Sequence, residues 1–314
     1  MTSDPILSKP VVCIMGPTAS GKTALAVELA KAIHGEVVSV DSALIYTDMN
    51  IGTAKPTEKE KQGIVHHLID ILNPEQSYSV ADFIRDASVC IEDILERGKI
   101  PILAGGTMMY FNALHHGISE IPAADHDVRA IIAEQITKHG SAWLHQQLQE
   151  VDPASADKIH PNDPQRVTRA LEVFKSTGKT LSAWKAEKKP MPSYDFFNFA
   201  LMTEDRALLH SRIEKRFKTM LDAGLIDEVQ EIISNYTINP DLPSMRSVGY
   251  RQVFEYLAKD IDYDTMVEKG IAATRQLAKR QITWLRGWEN TEWLDINEDN
   301  NLQRVMQKVC VTRQ

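Results

Sequence analysis

Residues 16–23 read Gly-Pro-Thr-Ala-Ser-Gly-Lys-Thr and fit the pattern G-x-x-x-x-G-K-[ST]. The glycines of this pattern let successive backbone N–H groups turn inward around phosphate oxygens, and the helix that follows adds partial positive charge. The lysine then reaches the terminal phosphate, and the last hydroxyl ligates Mg²⁺. We therefore predict a phosphate loop, with Thr23 as metal ligand, made of Gly16, Pro17, Thr18, Ala19, Ser20, Gly21, Lys22 and Thr23.

The loop lies between a predicted strand and a predicted helix, which is the context that the pattern requires. Residues 9–15 form an apolar run typical of a buried parallel strand, and residues 23–34 have helical spacing. Further strands are predicted at 37–40 and 101–104, with a helix at 79–97 between them. Strand, helix and strand at these intervals predict an α/β fold with a parallel sheet, like that of P-loop NTPases.

The pattern becomes mostly helical beyond residue 117. We predict a core made of residues 1–117 and 195–314, and a helical insertion subdomain at 118–194. Within the insertion, Asp163-Pro164 is typical of a helix start, with aspartate as the cap and proline in the first helical position. Residues 195–202 are aromatic and apolar, and we expect them to return the chain to the sheet.

Composition limits the class of protein. The 314 residues are 43% hydrophobic and 25% charged, as in an ordinary globular protein. Three widely spaced cysteines without a C-x-x-C pair argue against a disulfide framework and suit a reducing compartment. We expect a cytoplasmic protein with no membrane partner. The net charge of −8 counts only weakly against nucleic-acid binding, because acids elsewhere can offset a basic face.

Polar residues follow the predicted strands at the edge that carries the phosphate loop. Asp41 comes directly after the strand at 37–40, and Gly-Gly-Thr at 105–107 follows the next strand. Ligands of open parallel sheets lie outside the carboxyl ends of the strands. The carboxylate of Asp41 has three possible roles at this edge. It can help to hold Mg²⁺, act as a general base, or cap the next turn.

Eight blocks of sequence resemble the tRNA dimethylallyltransferases, also called tRNA isopentenyltransferases. The blocks follow the family's order and extend over nearly the whole chain. They are GPTASGKT at 16–23, DSALIYTDMNIGTAKP at 41–56, HHLID at 66–70, YSVADF at 78–83, GGTMMYFNAL at 105–114, IHPNDPQRVTRALEV at 159–173, SVGYRQ at 247–252 and TRQLAKRQITWLR at 274–286.

This resemblance implies transfer of a dimethylallyl group from dimethylallyl diphosphate to N6 of adenosine 37, beside the anticodon of tRNA. The implied cofactor is Mg²⁺, and the enzyme is expected to be a monomer. Breaking the allylic C–O bond leaves diphosphate, whose developing charge the loop and Mg²⁺ stabilise. The adenine amino group must lose a proton, and the resemblance gives Asp41 that role. It also gives Thr18 and Arg216 contacts with the diphosphate.

The resemblance further implies a tRNA-binding surface that includes the insertion subdomain. Residues 274–288 carry several cations and no acid, as expected for contacts with phosphates. Specificity is expected from an adenine splayed out of the stacked loop. The implied contacts are Asp41, Ser42, Ala43, Leu44, Thr107, Arg129, Gln165, Arg166, Val167, Thr168, Arg169, Arg246, Ser247, Val248, Gly249, Tyr250, Arg251, Lys279, Arg280, Gln281, Ile282, Thr283, Trp284, Leu285 and Arg286.

Other functions stay open at this point. A relative that prenylates free AMP, ADP or ATP would not need the basic blocks. A P-loop kinase or NTPase would bind ATP or GTP and use Asp41 as a metal ligand, and an RNA-binding module would not require Lys22-Thr23. We expect His66 and His67 to be a packed or hydrogen-bonded pair, ahead of a strand at 68–70, and not a metal site.

Overall fold

The computed structural model describes residues 9–119, 121–122, 125–187 and 193–311. The packing divides the chain into two compact units. Unit 1 comprises Met1–Phe111 and Ser193–Gln314, and unit 2 comprises Asn112–Pro192. Residues 120, 123–124 and 188–192 of the predicted insertion lie outside the described residues.

Unit 1 contains an all-parallel sheet, which has six strands within the described residues. The middle of the sheet is β1, which pairs with β4 at Met15↔Gly105 and with β5 at Met15↔Ala200. The α/β prediction is confirmed. The strands are β1 (Pro10–Met15), β2 (Gly35–Val40), β3 (His66–His67), β4 (Ile100–Gly105), β5 (Asp195–Met202) and β6 (Thr291–Asp295), in the order β3-β2-β4-β1-β5-β6.

The inner strands are buried along almost their whole length, which explains their continuous apolar sequences. The strand predicted at 68–70 is wrong, because β3 consists of the two histidines that precede it. Leu68 and Asp70 have φ angles of 59° and 56°, and these left-handed residues cannot continue a strand. The histidines are hydrogen-bonded, as expected: His66 Nδ1 lies 2.9 Å from the carbonyl oxygen of Ile64.

The helices account for most of the remaining described residues. None of those in the described ranges combines the length and apolar character needed to span a bilayer. In chain order they are α1 (Lys22–Ile33), α2 (Glu58–Lys61), α3 (Val80–Glu96), α4 (Met108–His116), α5 (His126–Val151), α6 (Pro153–Ala156), α7 (Pro164–Thr177), α8 (Leu181–Ala186), α9 (Arg206–Asp222), α10 (Leu225–Asn235), α11 (Tyr250–Leu257), α12 (Tyr263–Arg286) and α13 (Asn301–Val311).

Unit 1 has two main apolar clusters. One packs the sheet against α1 and α13 and includes Ile14, Leu29 and Phe199. The other joins the segment after β2 to α9, α10 and α11, and includes Phe217 and Tyr250. The second cluster fixes the C-terminal helices beside the sheet edge at which the phosphate loop lies.

Unit 2 is helical and has an apolar cluster of its own. Gly140, with φ 81°, breaks the helical geometry within α5. The predicted start of α7 is confirmed, because the Asp163 side chain accepts a hydrogen bond from Arg166 N at 3.1 Å and Pro164 is the first helical residue. The buried cluster consists of Ile132, Leu144, Leu148, Ala156, Ile159, Val167, Ala170, Leu171, Val173 and Leu181.

A buried carboxylate lies near the amino end of β2. Glu36 is only 2% exposed and accepts hydrogen bonds from Arg97 Nη2 at 2.8 Å, Lys99 Nζ at 2.6 Å and His67 Nε2 at 2.7 Å. These donors, led by Arg97, hold the pKa of Glu36 well below its usual range. This cluster joins three segments at the edge of the sheet away from the phosphate loop.

Candidate active site

The phosphate loop connects β1 to α1 through left-handed residues. Ala19 has φ 63° and Gly21 has φ 93°, and Gly21 caps α1 without a side chain. Within the described ranges, the backbone N–H groups of residues 21–23 donate to no acceptor of the protein. They form the amino end of a helix, where free amides and the helix dipole favour an anion.

Lys22 is the first residue of α1, and its side chain turns back over the loop. Its Nζ donates to the carbonyl oxygen of Pro17 at 2.7 Å. Burial lowers the pKa of Lys22 to about 8; the charge of Asp41 opposes this shift and that of Arg216 reinforces it. A carbonyl is a weak partner for a desolvated ammonium group, so the position favours an anionic ligand.

Arg216 enters the same cleft from α9. Burial lowers the pKa of this arginine, and the charges of Asp41 and Glu60 partly compensate. The guanidinium has no ion pair or hydrogen bond within the described chain. A half-buried guanidinium without a partner is suited to bidentate contact with phosphate oxygens.

Asp41 follows β2 and lines the cleft with the loop. One carboxylate oxygen, Oδ1, accepts a hydrogen bond from Ala43 N at 2.9 Å. The other oxygen has no hydrogen-bond partner among the described residues. The side chain therefore caps the turn with one oxygen and leaves the second open to a ligand. Thr107 closes the turn from β4, because its Oγ1 accepts from Ser42 N at 3.1 Å.

Gln281 of α12 contacts the loop directly. Its Oε1 accepts from Thr18 N at 2.9 Å, and its Nε2 donates to the carbonyl oxygen of Gly106 at 2.9 Å. The side chain is 9% exposed. One amide thus joins the segments that follow β1 and β4.

Glu228 of α10 supports the opposite wall of the cleft. Its carboxylate accepts from the backbone N–H groups of Asn50 at 2.9 Å, Ile51 at 2.7 Å and Gly52 at 3.1 Å, and from the Tyr250 hydroxyl. Gly52 and Tyr250, which both donate to this carboxylate, line the cleft. Reasoning from sequence missed Glu228, although its place among the apolar residues of α10 is a sign of burial.

These groups surround one cleft of about 920 Å³ in unit 1. The structure brings together most of the unit 1 residues in the predicted site. Those that line the cleft are Thr18, Ala19, Gly21, Lys22, Thr23, Asp41, Ser42, Ala43, Leu44, Thr107, Arg216, Arg246, Ser247, Val248, Gly249, Tyr250, Arg280, Gln281 and Trp284.

Several predicted tRNA contacts have buried side chains. Val167 and Leu285 are 0% exposed, and Ile282 packs against the cluster formed by Leu209, Ile213 and Ala278. Because apolar packing occupies these side chains, Val167 and Leu285 offer no side-chain surface to RNA, and the half-buried Ile282 offers little. The exposed positions in the same blocks are Gln165, Arg166, Arg246, Arg251, Lys279, Arg280, Thr283, Trp284 and Arg286.

In unit 2, a buried carboxylate holds two of the predicted arginines. Glu172 is 0% exposed and forms ion pairs with Arg129 at 2.9 Å and Arg169 at 3.2 Å. Arg166 pairs instead with Asp163 at 3.2 Å and is largely exposed. The two arginines on Glu172 are therefore fixed in orientation, whereas Arg166 is held only at the surface.

A phosphate loop between β1 and α1, at the carboxyl edge of an all-parallel sheet, defines a P-loop α/β protein. The profile of the family described as IPP transferase matches residues 44–288, and that described as isopentenyl transferase matches residues 9–77. The chain belongs to the tRNA dimethylallyltransferase (IPP transferase) family, and it is a prenyl-transferring enzyme.

Solved structures agree with this assignment. The tRNA isopentenylpyrophosphate transferase of Bacillus halodurans is 37% identical, with 98% of this chain and 96% of that chain covered and a TM-score of 0.70. The tRNA delta(2)-isopentenylpyrophosphate transferase of Staphylococcus epidermidis is 35% identical, with coverages of 97% and 98% and a TM-score of 0.67. A eukaryotic dimethylallyltransferase acting on tRNA is 28% identical, with coverages of 98% and 80% and a TM-score of 0.80.

Proposed function

We propose that the enzyme transfers a dimethylallyl group from dimethylallyl diphosphate to N6 of adenosine 37 in tRNA and releases diphosphate. The observation that carries this proposal is the charge pattern of the cleft. Two half-buried cations, Lys22 and Arg216, lack a saturating acid, and they lie near a carboxylate, Asp41, with one free oxygen. The cations suit a leaving diphosphate, and the free oxygen suits a proton acceptor.

The phosphate loop holds the leaving group in this proposal. As the allylic C–O bond breaks, negative charge grows on the bridging oxygen of the diphosphate. The free amides of residues 21–23, the Lys22 ammonium and the Arg216 guanidinium stabilise that charge, and the Thr18 hydroxyl adds a contact. These groups are already oriented before the reaction, so little reorganisation is needed when the bond breaks.

The donor groups fit Mg²⁺ if the ion binds together with the diphosphate. The Thr23 hydroxyl faces the cleft and has no hydrogen-bond partner within the described residues. The same residues contain no cluster of three His, Cys, Asp or Glu side chains that would hold a metal by themselves. A hard cation with phosphate oxygens, water and one hydroxyl as ligands is a usual arrangement for Mg²⁺. When bound, the ion would neutralise charge on the leaving diphosphate.

Asp41 is the proposed general base. As the bond from N6 of adenine to the allylic carbon forms, that nitrogen must lose one proton. The free oxygen of Asp41 receives it, while the other oxygen keeps the turn in place through Ala43 N. The base role and the turn-capping role are thus divided between the two oxygens of one side chain.

The cleft is large enough to hold the reacting parts of both substrates. A volume of about 920 Å³ exceeds the need of a diphosphate with a five-carbon tail and leaves room for a splayed-out base. Arg246 and Arg280 line it, and the exposed Trp284 offers a stacking face. Arg129, Gln165, Arg166, Thr168 and Arg169 are the proposed contacts of unit 2 with the tRNA backbone. Cys90 is a free thiol, which suits the action in the cytoplasm that we propose.

The test is transfer of label from dimethylallyl diphosphate to an unmodified tRNA bearing adenosine 37, in the presence of Mg²⁺. We expect incorporation that disappears when guanosine replaces adenosine 37. AMP and ATP serve as competing acceptors in the same reaction. Label on AMP in preference to tRNA would identify an adenylate prenyltransferase, and ATP hydrolysis without transfer would identify an NTPase.

A further inference from the structure

Gln281 lies in the α12 segment at 279–286, where the sequence implies tRNA contacts, but it differs from its neighbours. Lys279 and Arg280 are exposed, whereas Gln281 is 9% exposed. It lies on the same helix face as the buried residues Ala278 and Leu285. Its side chain therefore points into unit 1, toward the cleft that it helps to line, and not to the exposed face of α12.

Both ends of the Gln281 amide are occupied by backbone groups. Oε1 accepts from Thr18 N and Nε2 donates to Gly106 O, each at 2.9 Å. A primary amide carries an acceptor oxygen and a donor NH₂ group, so it can satisfy an N–H and a carbonyl at once. Of the charged or apolar side chains of similar length, none can do both.

The space at Gly106 is fitted to this amide. A Cβ added at Gly106 would lie 2.3 Å from Gln281 Nε2 and 3.3 Å from the carbonyl oxygen of Gly16. Gly106 is thus a point at which α12 and the phosphate loop both closely approach the segment after β4. A side chain there would displace the Gln281 amide, because that amide is the flexible partner.

We infer that Gln281 is a positioning residue for the phosphate loop and not a tRNA contact. The inference rests on the proposed diphosphate site. By accepting from Thr18 N, the amide fixes the first half of the loop and occupies that N–H. The amides of residues 21–23 are left to face the ligand. Loss of the amide leaves a part-buried donor and a buried acceptor without partners and loosens the loop.

The test measures binding of two probes separately. Inorganic diphosphate with Mg²⁺ is titrated calorimetrically, and an anticodon stem-loop RNA is titrated across a range of salt concentrations. Gln281→Met keeps the volume of the side chain but removes both hydrogen bonds. We expect diphosphate affinity to fall about 10- to 100-fold, with RNA affinity and its salt dependence within about twofold of wild type.

The neighbouring Lys279→Ala is the matched variant on the same helix. It should weaken RNA binding and flatten the salt dependence, with diphosphate affinity unchanged. Gln281→Glu should weaken diphosphate binding more than Gln281→Met, because it sets a carboxylate oxygen against the Gly106 carbonyl and adds negative charge beside the loop. Gly106→Ala should resemble Gln281→Met, and the double variant should show less than the sum of the two effects.

The inference is overturned if Gln281→Met lowers RNA affinity and flattens its salt dependence while diphosphate binding stays at the wild-type value. It is also overturned if diphosphate binding is unchanged in both Gln281→Met and Gly106→Ala at equal thermal stability. In either case, prenyl transfer by the wild-type enzyme would still support the proposed function. Wild-type protein that binds no diphosphate would remove the proposed function itself.

Discussion

The two ends of β2 carry carboxylates in opposite electrostatic settings. At the amino end, Glu36 is buried and saturated by Arg97, Lys99 and His67. Beyond the carboxyl end, Asp41 keeps one free oxygen, and the nearby Lys22 and Arg216 have no saturating acid. The first setting holds three segments of chain together. The second leaves charge available for a ligand, at the edge where parallel sheets bind ligands.

Burial of charge alone therefore does not identify the active site. Glu172 in unit 2 is also fully buried, yet Arg129 and Arg169 satisfy it. What distinguishes the cleft is half-buried charge whose partners are incomplete. Variants at the two ends of β2 should accordingly separate stability from catalysis.

Asp41 carries the largest expected effect. Asp41→Asn keeps an oxygen that caps the turn at Ala43 but removes the base, so we expect turnover to fall about 10²- to 10⁴-fold with tRNA affinity nearly intact. Asp41→Ala should lower turnover in the same range, with an added loss of stability from the uncapped turn. Single-turnover prenyl transfer and stem-loop binding measure the two quantities. Equal losses of turnover and tRNA affinity would contradict the assignment of a general base.

Arg216 comes next. Arg216→Met keeps the apolar stem and removes the guanidinium, and we expect kcat/KM for dimethylallyl diphosphate to fall about 10²- to 10³-fold. The control is Lys218→Met on the same helix, since Lys218 is exposed and already pairs with Glu214 at 2.9 Å. Its kinetics should stay within about twofold of wild type. Similar losses in the two variants would indicate a general effect of charge on α9.

Glu36 tests the other end of β2. Glu36→Gln should lower the free energy of unfolding by about 1–3 kcal/mol at neutral pH, with turnover per folded molecule unchanged. Because the pKa of Glu36 is lowered in the folded state, its stabilising contribution is present at neutral pH. It is lost as pH falls below the usual carboxyl range. Urea denaturation at pH 7 and near pH 4 should show the difference between variant and wild type shrinking in acid.

Lys22 gives the smallest expected effect, a pH dependence. Its pKa of about 8 means that the ammonium loses its proton as pH rises through that value. Diphosphate binding needs the charged form, so affinity should fall above pH 8, by at most about tenfold per pH unit. Lys22→Arg stays charged throughout this range and should lose this part of the slope. Calorimetry from pH 7 to 9.5 measures it, and identical slopes would show that Lys22 does not titrate against the ligand.

The sequence predicted the sheet and the loop because both have local patterns. Buried strands are continuous apolar runs, and the loop is a fixed eight-residue motif. The partners of Glu228 and Gln281, and the charges that surround Arg216, come from distant segments, so no local pattern shows whether a polar group is satisfied. Spacing did carry some information, since Gln281 shares a helix face with Ala278 and Leu285. The resemblance to a family block assigned all of 279–286 to one contact surface, which hid the difference between Gln281 and its exposed neighbours.

The inner position of β1 also has a consequence for how the chain folds during synthesis. Both neighbours of β1 lie far along the chain, and β5 begins only at Asp195. A Cβ at Gly16 would lie 2.4 Å from the carbonyl oxygen of Leu201, so β5 forms one wall of the phosphate loop. At about 5–20 residues per second, a ribosome needs roughly 10–40 s after making β1 to supply that wall. The nascent β1 therefore waits with one edge of backbone N–H and C=O groups unpaired and with its apolar side chains uncovered. A chaperone that shields the strand would raise the yield of active enzyme.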